Sequence, residues 1–410
     1  MIHKKKVLIS AYACQPDRGS EPGMGWNWVI RLAQHHRVWL ITESGFVPFI
    51  EKYLRENPDL RVDLHITGVP RKRYGEWLWS HLYYLSYRSW QWQAYKKALA
   101  LQDKVGFDLV HQLNMIGYRE PGYLWKLPVP FVWGPVGGHA QMPWRYLYFL
   151  GLKGGWYYGL RNILNWIQMR VDRRVRRAMS KADRIISATH EDQDAIRRNY
   201  GRSSVLINEQ GISGKSRVRL NNIYNRGSVL RVAWCGLFLE RKALPIGLYA
   251  IRQASRRVAL EFHIIGSGRC ANAWKKLARK IGVDEMCVWH GEQPHREAMD
   301  IMSGCDVLMF TSLQEGTPAV VTEAIELGLP VICHDKCGFG TIVDSTCGIK
   351  VQVRSPANSI RGFAEALISL EQNPGLLEEL KKGAYRKATE ESWEKRVAAM
   401  LNIYEDVAPG

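Results

Sequence analysis

Two glutamates, Glu315 and Glu323, are separated by seven residues and follow the apolar run 307–311, with Gly316, Thr317 and Pro318 directly after the first. The run reads as a strand, and Thr317 followed by Pro318 reads as an N-cap and first helical residue. A helix starting at the carboxyl edge of a parallel strand turns unpaired amides and the positive end of its dipole toward the crevice, where phosphate or sugar oxygens can sit. Glu315 is then expected at the mouth and Glu323 about two turns further in. A carboxylate beside a sugar can accept two hydroxyl hydrogen bonds, and a deeper one can take both hydroxyls of a ribose. Taken alone, the same two acids also fit a dipole-compensating loop residue and a solvated helix residue.

Other turns could bring backbone or side chains to the same chemistry. Gly19-Ser20-Glu21-Pro22-Gly23-Met24-Gly25 follows the first apolar run, and glycines there let amides approach a phosphate or sugar with no side chain between. A glycine-rich turn without a ligand is the other reading. Gly266-Ser267-Gly268 follows a strand-like run, and Trp133-Gly134-Pro135-Val136-Gly137-Gly138-His139 ends another. Arg241-Lys242, considered as an isolated dipeptide, is a surface pair. No nucleophile has an adjacent base, and Asp192-Gln193-Asp194 lies in a polar helical stretch unsuited to a metal. No metal and no cofactor are expected.

These residues need elements to hold them. With 410 residues, 46% of them hydrophobic, the chain can bury two cores. Short apolar runs alternate with amphipathic stretches, the α/β pattern of parallel strands and crossover helices. Strands are expected at 7–11, 38–42, 62–66, 109–112, 131–133 and 184–187, and again at 230–235, 260–265, 287–290, 307–311 and 331–334. Each half reads as its own sheet: an N-terminal domain at 1–208, a linker at 209–228 rich in Gly, Ser, Asn and Arg, and a C-terminal domain at 229–385. A helical stretch at 386–410 carries Trp393 in a polar setting and is expected to return to the first domain.

In Glu315, Glu323, Gly328 and Pro330 the sequence resembles glycosyltransferase family 4, whose signature is two glutamates separated by seven residues, then a glycine and a strand-initiating proline. The likeness extends upstream, where Cys235-Gly236-Leu237-Phe238-Leu239-Glu240-Arg241-Lys242 stands at the family's glycine loop with its basic pair. The resemblance implies a GT-B fold, two Rossmann-like parallel-sheet domains facing across a cleft, and a retaining transfer from a nucleotide diphosphate sugar, with UDP as the default. It implies that Arg241 and Lys242, with the loop of Gly23, hold the donor diphosphate. A fork and a point charge suit a leaving group whose growing charge needs a preorganised cationic partner. Glu323, Gly316 and Thr317 would take the donor ribose and sugar, Gly266 and Gly268 would lie near the nucleotide base, and Glu315 and His139 would meet the transferred sugar. Many relatives carry an arginine directly after the glycine, where this chain has Leu237, so the phosphate role falls to Arg241 and Lys242.

Lys and Arg number 57 against 39 Asp and Glu, a formal charge of +18, which favours an anionic partner. Two stretches mix aromatic and basic residues, one from Arg71 through Trp77 and Trp79 to Trp92, the other from Trp144 through Trp156 to Arg177. Trp, Tyr and Arg together suit a headgroup interface, so a lipid-linked or saccharide acceptor of cell-surface polysaccharide synthesis and an anionic membrane surface are the expected partners. Helices packing aromatics inward and arginines outward would look the same. A basic RNA-binding protein without catalysis is the alternative from another class; its weakness is the glutamate-bearing cleft, which repels phosphates unless cations offset it, and no nucleic acid is expected. A nucleotide-sugar epimerase of related fold would convert donor without an acceptor. The eight cysteines lack zinc or disulfide spacing and read as reduced core residues. With no secretory signal and no run long enough to span a bilayer, the expected location is cytoplasmic, peripheral on the inner face of the membrane.

Overall fold

The computed structural model describes residues 4–71, 76–212 and 229–409, with the backbone alone at 76–82. Most of the expected linker, 213–228, and the Arg73 to Trp79 part of the first aromatic stretch therefore lie outside the described residues or side chains. The chain divides into two compact units: Met1–His139, Ile167–Glu209 and Trp393–Gly410 form the first, Ala140–Trp166 and Gln210–Ser392 the second. Residues 140–166, which the sequence reading places in the first half, thus cluster with the second. The reason is apolar: Met142, Tyr146, Leu150 and Tyr158 are buried in the second unit's core.

The first unit carries β1 (Lys6–Ala11), β2 (Arg37–Glu43), β3 (Asp63–Val69), β4 (Leu109–Asn114), β5 (Phe131–Val136), β6 (Arg184–Ser187) and β7 (Val205–Leu206). The second carries β8 (Leu230–Cys235), β9 (Leu260–Ile265), β10 (Cys287–Gly291), β11 (Val307–Phe310), β12 (Val331–His334) and β13 (Gly348–Val351). The sheets run β3-β2-β1-β4-β5-β6-β7 and β10-β9-β8-β11-β12-β13, every pair parallel. Both are doubly wound α/β sheets whose order reverses beside the first strand, between β1 and β4 and between β8 and β11. Ligands of such sheets bind beyond the strand ends at that reversal. The two strands that the sequence reading leaves out, β7 and β13, are edge strands with one partner each: β7 has only two residues, and β13, Gly348-Ile349-Lys350-Val351, is interrupted by a lysine.

Central strands are apolar on both faces because helices cover both. Along β1, Val7, Ile9 and Ala11 enter one core cluster and Leu8 the other, the alternation of a pleated strand. The C-terminal helix Trp393–Val407 belongs to the first of these clusters, where Trp393 meets Trp28 edge-on at 5.4 Å. Tyr404 completes the anchor with a 2.6 Å hydrogen bond between its hydroxyl and Nδ1 of His111.

Candidate functional site

Beyond the end of β8 the chain makes a glycine turn and then a short 3-10 turn, Glu240–Lys242, that swings two cations toward the end of β11. Gly266 and Gly268 fix that turn from below. Their φ angles are +133° and +147°, and a Cβ on Gly266 would lie 2.0 Å from the Gly236 carbonyl oxygen. Both glycines therefore let one backbone lie against another, and the Phe238 amide donates to the Ser267 carbonyl at 2.7 Å in the gap.

The next strand end supplies the partner. Leu313 N–H donates to the Arg241 carbonyl at 2.8 Å and the Thr311 hydroxyl to the Lys242 carbonyl at 2.8 Å, so the loop after β11 is tied to the cationic turn by backbone. Arg241 Nη1 then donates to the Gln314 carbonyl at 3.0 Å and to Oε1 of Glu315. Lys242 Nζ reaches the same Oε1 at 2.9 Å, and the Ser312 hydroxyl reaches it at 3.1 Å. Two cations and a hydroxyl thus converge on one carboxylate oxygen. The Lys242 ammonium also stands 5.1 Å over the Phe310 ring and is almost fully buried; a buried ammonium without a counter-charge would be costly, which is what Glu315 offsets.

The expected order of depth is reversed. The Glu315 side chain is 13% exposed and the Glu323 side chain 25%, paired at 3.0 Å with the exposed His295. The helix begins at Ala319, with Pro318 still extended, so Glu323 is only about one turn into the helix. Thr317 does not cap it; its hydroxyl oxygen and Cα crowd Gly338, where a Cβ would lie 2.6 Å from that oxygen and from the Gly316 carbonyl. Gly316 and Thr317 thereby close one wall of the loop. Glu323 does share surroundings with the cationic turn. Burial first and the Glu323 carboxylate second push the Cys235 thiol up to about 12, against a lowering by Lys242.

In the first unit, His139 leaves the end of β5 with its side chain fully buried. Its ring stacks on Tyr118 at 4.2 Å. Nδ1 lies 2.9 Å from Oδ1 of Asp192, an oxygen that also accepts the His139 amide at 3.0 Å. A carboxylate only accepts, so Nδ1 is the donor. Nε2 is buried with no hydrogen-bond partner among the described residues. At Gly23 a Cβ would lie 1.7 Å from the Arg18 carbonyl oxygen, so the segment after β1 folds onto its own helix at that point. Glu21, beside it, accepts the Ile116 amide at 2.8 Å and is held above the usual carboxylate range by burial.

Sequence reasoning weighed Asp192 only as a metal ligand, and passed over Ser312 and a buried chain that reaches its carbonyl. Tyr146 hydroxyl and Ser359 hydroxyl lie 2.7 Å apart, Ser359 meets Nε2 of His334 at 2.8 Å, and Nδ1 of His334 meets the Ser312 carbonyl at 3.1 Å. The Thr189-x-x-Asp192 spacing of a capping box was the available signal for Asp192; a histidine ending β12 was the only one for His334.

Residues 234–387 match the family described as glycosyl transferases group 1, a stretch that includes Arg241, Lys242, Glu315 and Glu323. A D-inositol 3-phosphate glycosyltransferase of Streptomyces bingchenggensis is 26% identical over 250 residues, covering 56% of this chain and 54% of that one. The chain therefore spans about half the length of that curated relative. Anabaena HepE, solved in complex with UDP and glucose, superposes with a TM-score of 0.60 at 13% identity, covering 98% of this chain and 100% of its own. The lipopolysaccharide outer core galactosyltransferase WaaB, in its apo form, gives 0.67 at 14% identity, covering 98% and 99%. At such identities the likeness is one of fold: two Rossmann-like parallel-sheet domains of the GT-B type.

Proposed function

We propose that the chain is a retaining glycosyltransferase that moves a sugar from a UDP-linked donor to a saccharide or lipid-linked acceptor, in the synthesis of cell-surface polysaccharide. The observation that carries this reading is the single carboxylate oxygen shared by Arg241, Lys242 and Ser312. A carboxylate neutralises only one of the two cations. A diphosphate brings more charge and more acceptor oxygens, so it competes with Glu315 for both. Once displaced, Glu315 accepts hydroxyls of the donor sugar, while Glu323 exchanges His295 for the ribose hydroxyls.

The chemistry then needs positioning and charge stabilisation rather than a protein nucleophile. The acceptor oxygen forms a bond to the anomeric carbon on the face from which the diphosphate departs. The bond from that carbon to the phosphate oxygen breaks, and the departing phosphate takes the acceptor proton. Arg241 and Lys242 meet the charge left on the nucleotide diphosphate, and Nε2 of His139 accepts a hydrogen bond from a sugar hydroxyl. The UDP and glucose in HepE and the galactosyl and inositol phosphate chemistry named for the other relatives support the choice of donor and acceptor class.

The test is a thermal-shift panel of UDP, GDP and ADP on the full chain, followed by NMR of the product's anomeric configuration. A ligand at a hundred times its Kd stabilises by about 2.7 kcal/mol. UDP should raise the melting temperature, and Arg241→Ala should remove the shift. A panel in which no nucleotide shifts the transition would sink the reading.

A further inference from the structure

We propose that the helix Gly151–Val171 docks the protein in the plane of an anionic phospholipid surface. The helix has two apolar faces. One is the ordinary kind: Gly154, Tyr158, Asn162, Asn165 and Met169 are buried at helical spacing, and Asn162 pins the helix by accepting the Met142 amide at 3.0 Å and donating to the Met142 carbonyl at 2.7 Å. The opposite face repeats the same spacing with Leu152, Trp156, Leu160, Ile163 and Ile167, all exposed. Leu152 is 91% exposed and Trp156 77%, where a water-facing helix would carry polar residues. Trp144 and Tyr148, in the preceding 3-10 turn, extend the stripe and are exposed as well.

A contiguous exposed apolar stripe marks an interaction surface, and the charge beside it selects the occupant. From 144 to 177 the chain holds eight Lys and Arg against the single acid Asp172. Arg173 and Arg177 are exposed just past the helix. Aromatic and aliphatic side chains on one face with a cationic fringe suit a helix lying at the headgroup boundary of anionic lipid. Among the described residues no helix is long and apolar enough to cross a membrane, so the contact is in-plane. In the first aromatic stretch, among the described side chains, Tyr87 and Trp90 are core residues while Tyr84, Leu85 and Trp92 are exposed; the most exposed apolar side chains, Leu152 and Trp156, lie in the second.

The buried face connects the surface to the candidate site. A Cβ on Gly154 would come within 3.4 Å of Glu240 Cγ, and Tyr158 lies near enough to Arg241 to feel its charge. The helix thus has the cationic turn on one side and the proposed lipid surface on the other. Docking stands on exposure and charge, independently of the transfer reaction, and is measured without a donor.

The test is co-sedimentation of the full chain with phosphatidylcholine vesicles with and without phosphatidylglycerol, for wild type and Leu152→Glu/Trp156→Glu. Both positions are exposed, so the substitutions remove no core packing, and an unchanged melting temperature checks this. The wild type should pellet with the anionic vesicles and remain in the supernatant with neutral ones. The double variant should lose retention by roughly tenfold or more. A wild type that stays in solution with both vesicles, or a double variant that pellets like it, overturns the proposal. So does a lipid-free dimer in sedimentation velocity that the double variant dissociates, because the stripe would then belong to a second copy.

Discussion

Asp192 accepts hydrogen bonds from the His139 amide, from His139 Nδ1 and from the Thr189 hydroxyl. Thr189 caps the helix that begins at His190, so a capping device at the helix start also fixes which ring nitrogen of His139 carries the hydrogen. On the account given above, Asp192 is a positioning residue. Asp192→Asn keeps the volume but offers either an amide oxygen or an amino group to the ring, and the defined orientation of Nε2 is lost. We expect kcat for sugar transfer to fall by roughly tenfold or more, with a smaller change in donor KM and a melting temperature close to wild type. Equal loss in kcat and in stability would instead mark Asp192 as a capping residue alone. Nothing in the polar sequence around Asp192 shows this role, because its partner lies more than fifty residues upstream and is brought near only by the sheet. Arg241, Lys242 and Glu315 were legible for the opposite reason: each follows an apolar run closely, and two neighbouring strand ends suffice to bring them together.

At the scale of elements, glycines divide into those that relieve only their own backbone and those that admit a neighbour. Gly328 and Gly282 have nearly the same φ, +71° and +72°, but a Cβ on Gly328 would lie 2.4 Å from the Tyr385 ring while Gly282 has nothing within 4 Å. Gly282→Ala should therefore cost about 1 kcal/mol from the left-handed backbone alone, and Gly328→Ala roughly 2–4 kcal/mol because the tyrosine must also move. Urea midpoints of the two variants check the difference; equal midpoints would contradict it. The strand and helix pattern of each sheet was readable from alternating apolar and amphipathic runs. The affiliation of residues 140–166 was not, because periodicity shows that Tyr146 and Tyr158 are apolar positions and not which core they enter. The helix start at Ala319 rather than Pro318 has a similar cause: Thr317 is turned against Gly338, a contact between segments distant in sequence.

For the whole molecule, three buried histidines, His36, His111 and His334, tie stability to pH. Burial lowers all three from 6.5 to about 4. Between those values the unfolded chain binds protons that the native protein does not, so stability is full above the upper value and falls as pH drops through the window. Each contributes on the order of 3 kcal/mol across the full window. Denaturation at about pH 7 and about pH 4.5 should show the loss, with a shallower slope in His334→Gln; parallel slopes would contradict the assignment. The central claim concerns the anion site, and calorimetric titration of UDP into wild type, Lys242→Ala and Glu315→Gln tests it most directly. The ammonium contributes a charge-assisted contact of about 1.5–3 kcal/mol, so Lys242→Ala should weaken UDP binding by roughly ten- to a hundredfold. Glu315→Gln removes the competing carboxylate and should bind UDP at least as tightly as wild type. Unchanged affinity in Lys242→Ala, or a loss in Glu315→Gln matching that of the lysine variant, would contradict a diphosphate site held in reserve by Glu315.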